Sequence, residues 1–249
     1  MSVVQTLKGI VDTARISVPT VVESMFHAID PNVADARLDW WSKKLLEDAQ
    51  IELVVKGREN ADDDREPFVV MSNHQSLYDI PVLFQSVPGN MRMVAKAELF
   101  KVPIWGRAML AAGFVRIDRG DREQAIGALR ETGGALLARG TRVWIAPEGT
   151  RSKTGKLGSF KSGGFRMALE MKARILPVAI DGTRRVLPAK GFVVRRRHRV
   201  EVTILPPIDP AVYGVERRKE LMADVRRAIA AALGQDDARD EPQSASPRA

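Results

Sequence analysis

Hydrophobic and polar positions follow two different periods along this chain, and each change of period marks an element. Short apolar, β-branched runs fall near 52–57, 67–72, 92–96, 112–117, 142–146, 175–180 and 199–205. Their length and composition are those of buried strands. Between several of them, apolar residues recur at helical spacing, notably over 122–137, 163–172 and 216–233. Strands alternating with helices predict an α/β fold, a mostly parallel central sheet flanked by helices. No internal repeat is present, and 249 residues suffice to bury one large core. The expected division is a helical element over 1–50, one principal domain over 51–233 and a tail over 234–249. That tail is rich in Asp, Pro, Ser and Ala and is expected to be disordered.

The first 50 residues pose a separate question. Val3, Leu7, Ile10, Val11, Ala14, Val18, Val21, Val22, Met25 and Ile29 recur at helical spacing. They predict an amphipathic helix with a bend near Pro19. A second helix, about 33–50, carries Trp40-Trp41 followed by Lys43-Lys44. Such a pair of helices either packs its apolar stripe on its own domain or lies in a lipid headgroup boundary. No uncharged stretch exceeds the 12 residues from Ile80 to Met91, and a bilayer span needs about 20. No charged start with an apolar core suggests a signal peptide. The mode of membrane contact left open is a peripheral one, through these two helices.

Charge adds to that picture. Lys and Arg number 39 against 31 Asp and Glu, a formal +8. Between Gly182 and Val200 lie Arg184, Arg185, Lys190, Arg195, Arg196, Arg197 and Arg199, with no acid. Such a cluster suits an anionic lipid surface or another phosphate-bearing partner. A nucleic-acid module is the competing class. The aromatic share of 6%, with Phe192 the single Phe, Tyr or Trp within the cluster, argues against it.

Three strings carry the candidate chemistry. In Asn73-His74-Gln75-Ser76-Leu77-Tyr78-Asp79, a histidine stands where a strand gives way to a helix, with a carboxylate five residues later. A carboxylate folded back on the imidazole fixes its tautomer and makes it a general base. The same string also reads as a capping box, with Ser76 as the cap and Asp79 at the third position. The two readings are compatible. In Ala146-Pro147-Glu148-Gly149-Thr150-Arg151-Ser152, Pro147 and Gly149 force a sharp turn whose amides and guanidinium can hold a phosphate. In Gly113-Phe114-Val115-Arg116-Ile117-Asp118-Arg119, cations and an acid close an apolar strand. Other chemistries fall away. There is no cysteine, and His27, His74 and His198 show no metal-ligand spacing. No G-x-S-x-G elbow occurs, and the segment from Gly149 to Leu157 departs from a phosphate-binding P-loop in spacing and at Leu157.

Taken together and in order, these strings resemble the glycerolipid acyltransferase superfamily, specifically the 1-acylglycerol-3-phosphate (lysophosphatidic acid) acyltransferases. The family's four ordered blocks match at Ser72–Asp79, Gly113–Arg119, Pro147–Ser152 and Ile175–Ile180. Phe160-Lys161-Ser162-Gly163-Gly164-Phe165 resembles the segment after the third block, and the likeness covers roughly Glu52 to Leu205. Arg116 stands where an aromatic residue or proline is frequent, and Ala146 where phenylalanine is frequent.

The resemblance implies an acyltransferase domain over 51–233 that moves an acyl chain from a thioester to the hydroxyl of a phosphorylated glycerol. His74 would take the hydroxyl proton and Asp79 would hold the ring, a contribution of about 10²- to 10⁴-fold in rate. Arg119, Arg151 and either Arg116 or Lys161 would meet the phosphate, beside the Gly149-Thr150 turn, with Glu148 in support by orienting arginines or accepting a glycerol hydroxyl. No cofactor is implied beyond an acyl-coenzyme A or acyl carrier protein thioester as co-substrate, and the implied partner is a membrane lipid surface. Glycerol-3-phosphate or a lyso-ornithine lipid as acceptor, or a lipid-binding relative without turnover, are the alternatives.

Overall fold

The computed structural model describes residues 3–61 and 67–235. The tail expected to be disordered lies outside the described residues from 236 onward. In chain order the elements are α1 (Val3–Ser24), α2 (Pro31–Asp48), β1 (Glu52–Lys56), β2 (Val69–Ser72), α3 (Asp79–Ser86), β3 (Met91–Lys96), α4 (Trp105–Ala111), β4 (Val115–Ile117), α5 (Arg122–Ala128), α6 (Gly134–Leu137), β5 (Arg142–Ile145), α7 (Gly163–Met171), β6 (Ile175–Asp181), α8 (Thr183–Val186), β7 (Arg199–Ile204) and α9 (Arg218–Ala232). A strand forms at each predicted apolar run. β4 is shorter than its run, because Gly113 and Phe114 still donate to Leu110 O and Met109 O in the turn closing α4. The helical pattern over 122–137 is realised as α5 and α6, joined by a π-helical turn at Leu129–Gly133.

The seven strands form one sheet in the order β1-β7-β6-β2-β5-β3-β4. β6, β2, β5, β3 and β4 run parallel, and β7 pairs antiparallel with β6 and parallel with β1. The sheet is buried on both faces, which explains the continuous apolar runs. Strand alternation divides each run between two cores. Val70, Trp144, Leu176, Val178 and Ile180 enter one; Val69, Met71, Val143, Ile145 and Ile175 enter the other. The C-terminal ends of the five parallel strands share one edge, where open α/β sheets bind ligands.

α1 inverts the usual amphipathic arrangement. Its helix continues through Pro19, and its buried residues are Gln5, Asp12, Ser17 and Thr20. Val3, Leu7, Ile10 and Val11 face outward, the last 63% exposed, and Phe26 beyond the helix is 81% exposed. Polar contacts tie its inner face to α2: Arg37 donates to Thr20 Oγ1 at 2.9 Å and to Glu23 Oε2 at 2.6 Å, and Trp41 Nε1 donates to Thr13 Oγ1 at 3.0 Å. Arg92 of β3, itself buried, pairs with Asp35 of α2 and donates to Ala112 O. α2 also seats Leu38, Leu45 and Leu46 in the core, so apolar packing of α2 and side-chain polar bonds together fix the helical pair, with the apolar stripe of α1 turned away.

Gly182 makes the corner between β6 and α8 at φ +101°, and a Cβ there would lie 2.5 Å from Arg199 O. Both the backbone conformation and the approach of β7 demand glycine. Gly182→Ala is expected to destabilise the fold by about 1–3 kcal/mol, read as a lower denaturant midpoint; an unchanged midpoint would contradict this corner.

Candidate active site

His74 leaves the C-terminal end of β2, in the middle of the sheet, and Asp79 opens α3 five residues later. The intervening loop folds back on Asp79. Oδ2 accepts from the Gln75 amide at 2.7 Å and the Ser76 amide at 2.9 Å, and contacts His74 Nδ1 at 2.7 Å. Oδ1 accepts from the Thr183 hydroxyl at 2.5 Å. The Asp79 carboxylate is fully buried, and four donors offset the desolvation cost of its charge. The capping reading is realised in altered form. Asp79 satisfies the Ser76 amide as a capping box would, but α3 begins at Asp79 itself, and Ser76 Oγ accepts from Tyr78 N at 3.0 Å while donating to Leu187 O at 2.7 Å. One carboxylate therefore caps the turn and holds the imidazole.

In the neutral ring, Nδ1 facing a carboxylate assigns the proton to that nitrogen and leaves Nε2 free, the form that accepts a proton from a substrate. Trp144 sets its ring edge-on against His74, 5.6 Å between centroids, and its Nε1 donates to Ser72 Oγ at 2.9 Å. Asn73 pairs its side-chain amide with both the N–H and the C=O of Ile180 at 2.8 Å, joining the loop to β6. Backbone, aromatic wall and carboxylate all restrict the ring to one position.

Glu148 does not do what its place in the third string suggests. Its oxygens accept from the backbone amides of His74 and Gly158, each at 2.8 Å. Its support therefore reaches the site through the backbone of the His74 loop. Ser152 N donates to His74 O at 2.7 Å and completes that clip. Burial pushes the Glu148 carboxyl up, opposed by the two amide bonds.

His74 lies on the wall of a cavity of about 590 Å³. Gly149, Thr150, Arg151, Lys161 and Arg119, all named above as candidates, line it. Gly149, at φ +70°, leaves room for Lys161, whose Cε and Nζ lie 3.1–3.2 Å from where a Cβ would sit. Arg116 is not brought there. β4 is one strand with one alternation, so Ile117 faces the cavity and Arg116 is exposed on the other side. Arg116 is thereby removed as a ligand-contacting residue of this cavity. Three cations that the strings did not include also line it: Arg37 of α2, already paired with Glu23; Lys96, at the end of β3; and Arg166 of α7, whose buried Nε has no hydrogen-bond partner among the described residues. The remaining wall is mostly apolar, including Leu77, Met93, Leu99, Trp105 and Met109, and reaches Ile16 and Thr20 on the inner face of α1. Among the described residues no cluster of His, Cys, Asp and Glu forms a metal site. None of the described helices is long and apolar enough to cross a membrane.

The sequence matches the family described as Acyltransferase over residues 52–181, just over half of the 249 residues. The chain belongs to this acyltransferase family. This acyltransferase is 36% identical over 154 residues to the chloroplastic 1-acyl-sn-glycerol-3-phosphate acyltransferase of Arabidopsis thaliana, covering 62% of this chain and 43% of that one. It is 32% identical over 160 residues to the 1-acyl-sn-glycerol-3-phosphate acyltransferase of Escherichia coli, covering 64% and 63%. The alignments span about half the length of the first of these curated relatives. Among solved structures, the 1-acyl-sn-glycerophosphate acyltransferase PlsC of Thermotoga maritima superposes with a TM-score of 0.72 at 26% identity, over 95% of this chain and 100% of that one. The acyltransferase match runs from β1 to the end of β6 and so includes the His74 loop, the Glu148 clip and the cavity cations Lys96, Arg119, Arg151, Lys161 and Arg166.

A raised acid gives a definite pH signature. The folded chain holds the Glu148 proton at higher pH than the unfolded chain does, so this group's contribution to stability falls as pH rises from its ordinary 4.5 through the raised value. Glu148→Gln removes that titration. The stability difference between the native protein and this variant should therefore decline over that rising-pH window in denaturant titrations; a difference independent of pH would contradict the assignment.

Proposed function

We propose that this acyltransferase transfers an acyl chain from an acyl thioester to the free hydroxyl of 1-acylglycerol-3-phosphate, producing phosphatidic acid. The observation that carries the reading is the His74–Asp79 contact at 2.7 Å on the wall of a cavity that is cationic in one part and apolar in the rest. A lysophospholipid has that division: a phosphate for Lys96, Arg119, Arg151 and Lys161, and an acyl chain for the apolar wall. The names of the relatives, including that of the PlsC structure, point to the same acceptor.

In this mechanism the acceptor hydroxyl lies against His74 Nε2. As its oxygen attacks the thioester carbonyl carbon, its proton passes to Nε2, and Asp79 stabilises the resulting imidazolium through Nδ1–H. Collapse of the tetrahedral intermediate breaks the C–S bond, and the imidazolium returns the proton to the departing thiolate. The chain's own contribution is orientation and proton transfer; the co-substrate is the thioester, and no cofactor enters.

The same reading gives α1 a role. Its outward Val3, Leu7, Ile10 and Val11, with Phe26 beyond, form an apolar face suited to the boundary of a lipid layer. Arg15 lies over the half-exposed Trp40 ring at 5.4 Å, a pairing suited to the headgroup level. The cavity reaches the inner side of that helix, which gives an acyl chain a short path from the layer to His74. The enzyme would then work peripherally on a membrane surface.

The test is thiol release from a long-chain acyl-coenzyme A, with lysophosphatidic acid or glycerol-3-phosphate as acceptor. Release should require lysophosphatidic acid, and His74→Ala should lower kcat at least about 10²-fold with unfolding unchanged. Arg151→Ala should raise the KM for lysophosphatidic acid without altering that for the donor. Turnover only with glycerol-3-phosphate, or full activity in His74→Ala, would overturn the acceptor or the base respectively.

A further inference from the structure

The order of strands places two groups of cations on opposite sides of His74. Lys96, Arg119 and Arg151 follow β3, β4 and β5, all on one side of β2. Arg184 and Arg185 follow β6, on the other side, and neither lines the cavity. Arg184 stands next to Thr183, the residue whose hydroxyl completes the Asp79 cradle. Its side chain lies against the loop beyond Arg151: a Cβ at Gly155 would meet Arg184 Nε at 3.3 Å and Gln75 Oε1 at 3.8 Å. Lys156, the next residue of that loop, is exposed. Arg195 N donates to Val186 O at 2.9 Å, which brings exposed Arg195 and Arg196 alongside α8.

These cations are poorly neutralised. Among the described residues the side chains of Lys156, Arg184, Arg195 and Arg196 have no ion-pair partner, and Arg185 shares only exposed Asp181 at 3.2 Å. Exposed guanidinium groups with no competing carboxylate are strong ligands for phosphate esters. The reaction proposed above has two phosphate-bearing substrates, and the cavity cations serve the acceptor. Resting on that reading, we propose that the face formed by Arg184, Arg185 and Arg195, with Lys156, binds the phosphates of a coenzyme A donor. The donor then presents its thioester to His74 from the β6 side, while the acceptor lies on the β5 side. A patch meant solely for a lipid layer would have no need to adjoin the Thr183–Asp79 contact.

The test compares wild type with Arg184→Ala/Arg185→Ala by calorimetric binding of coenzyme A, and by turnover with acyl-coenzyme A and with the acyl thioester of N-acetylcysteamine, which lacks phosphate. The expected result is about tenfold or more weaker coenzyme A binding and a matching rise in KM for acyl-coenzyme A. The KM for lysophosphatidic acid and turnover of the phosphate-free thioester should be unchanged. Coenzyme A binding that is absent in wild type, or equal in both proteins, would overturn the donor site while leaving acyl transfer intact. Loss of binding to phosphatidylglycerol vesicles with unchanged coenzyme A affinity would likewise overturn it and make the patch a lipid surface. Failure of wild type to turn over any acceptor, with coenzyme A binding still lost in the variant, would instead remove the acyl-transfer reading.

Discussion

The arrangement around His74 depends on one buried carboxylate. Asp79 accepts from two backbone amides and the Thr183 hydroxyl and faces His74 Nδ1, so one side chain closes the loop after β2, opens α3 and orients the imidazole. A fully buried charge is tolerated because every direction around it carries a donor. Removing the charge would release the loop and the ring together. The dual use of Asp79 as cap and as ring partner is therefore a single electrostatic solution.

Everything else at the sheet edge is arranged about that point. Glu148 holds the amides of His74 and Gly158, Trp144 walls the ring, and Asn73 joins the loop to β6. Parallel strands bring their C-terminal ends to the same edge, so residues from five strands meet there although they are far apart in sequence. The strand order also separates the cations of β3, β4 and β5 from those of β6, giving a site with two approaches. α1 closes the cavity from the third side with its polar face and leaves its apolar face outward.

How much of this was legible in the sequence depended on range. The His74–Asp79 pair is local, five residues apart, so the contact lies within reach of one loop, although the spacing alone reads equally as a capping box. The strands were readable because a sheet buried on both faces writes continuous apolar runs. Thr183 was not readable: it lies 104 residues from Asp79 and reaches it only because β6 pairs with β2. Arg116 and Arg119 look equivalent as a basic cluster, but Arg116 lies on the exposed face of β4 and Arg119 beyond the strand's end, where it lines the cavity. The same holds for Glu148, whose partners are backbone amides and leave no mark in residue type. Helical periodicity identified α1 as amphipathic but carries no sign, and the partners offered by α2, Arg37 and Trp41, turned its polar face inward.

The most direct test of the central claim is the tautomer of His74, read from ¹⁵N chemical shifts of the imidazole in the intact protein. The account predicts the Nδ1–H form with Nε2 unprotonated in wild type, and loss of that preference in Asp79→Asn. A wild-type ring protonated at Nε2, or a tautomer indifferent to Asp79, would contradict the claim that this carboxylate prepares the base.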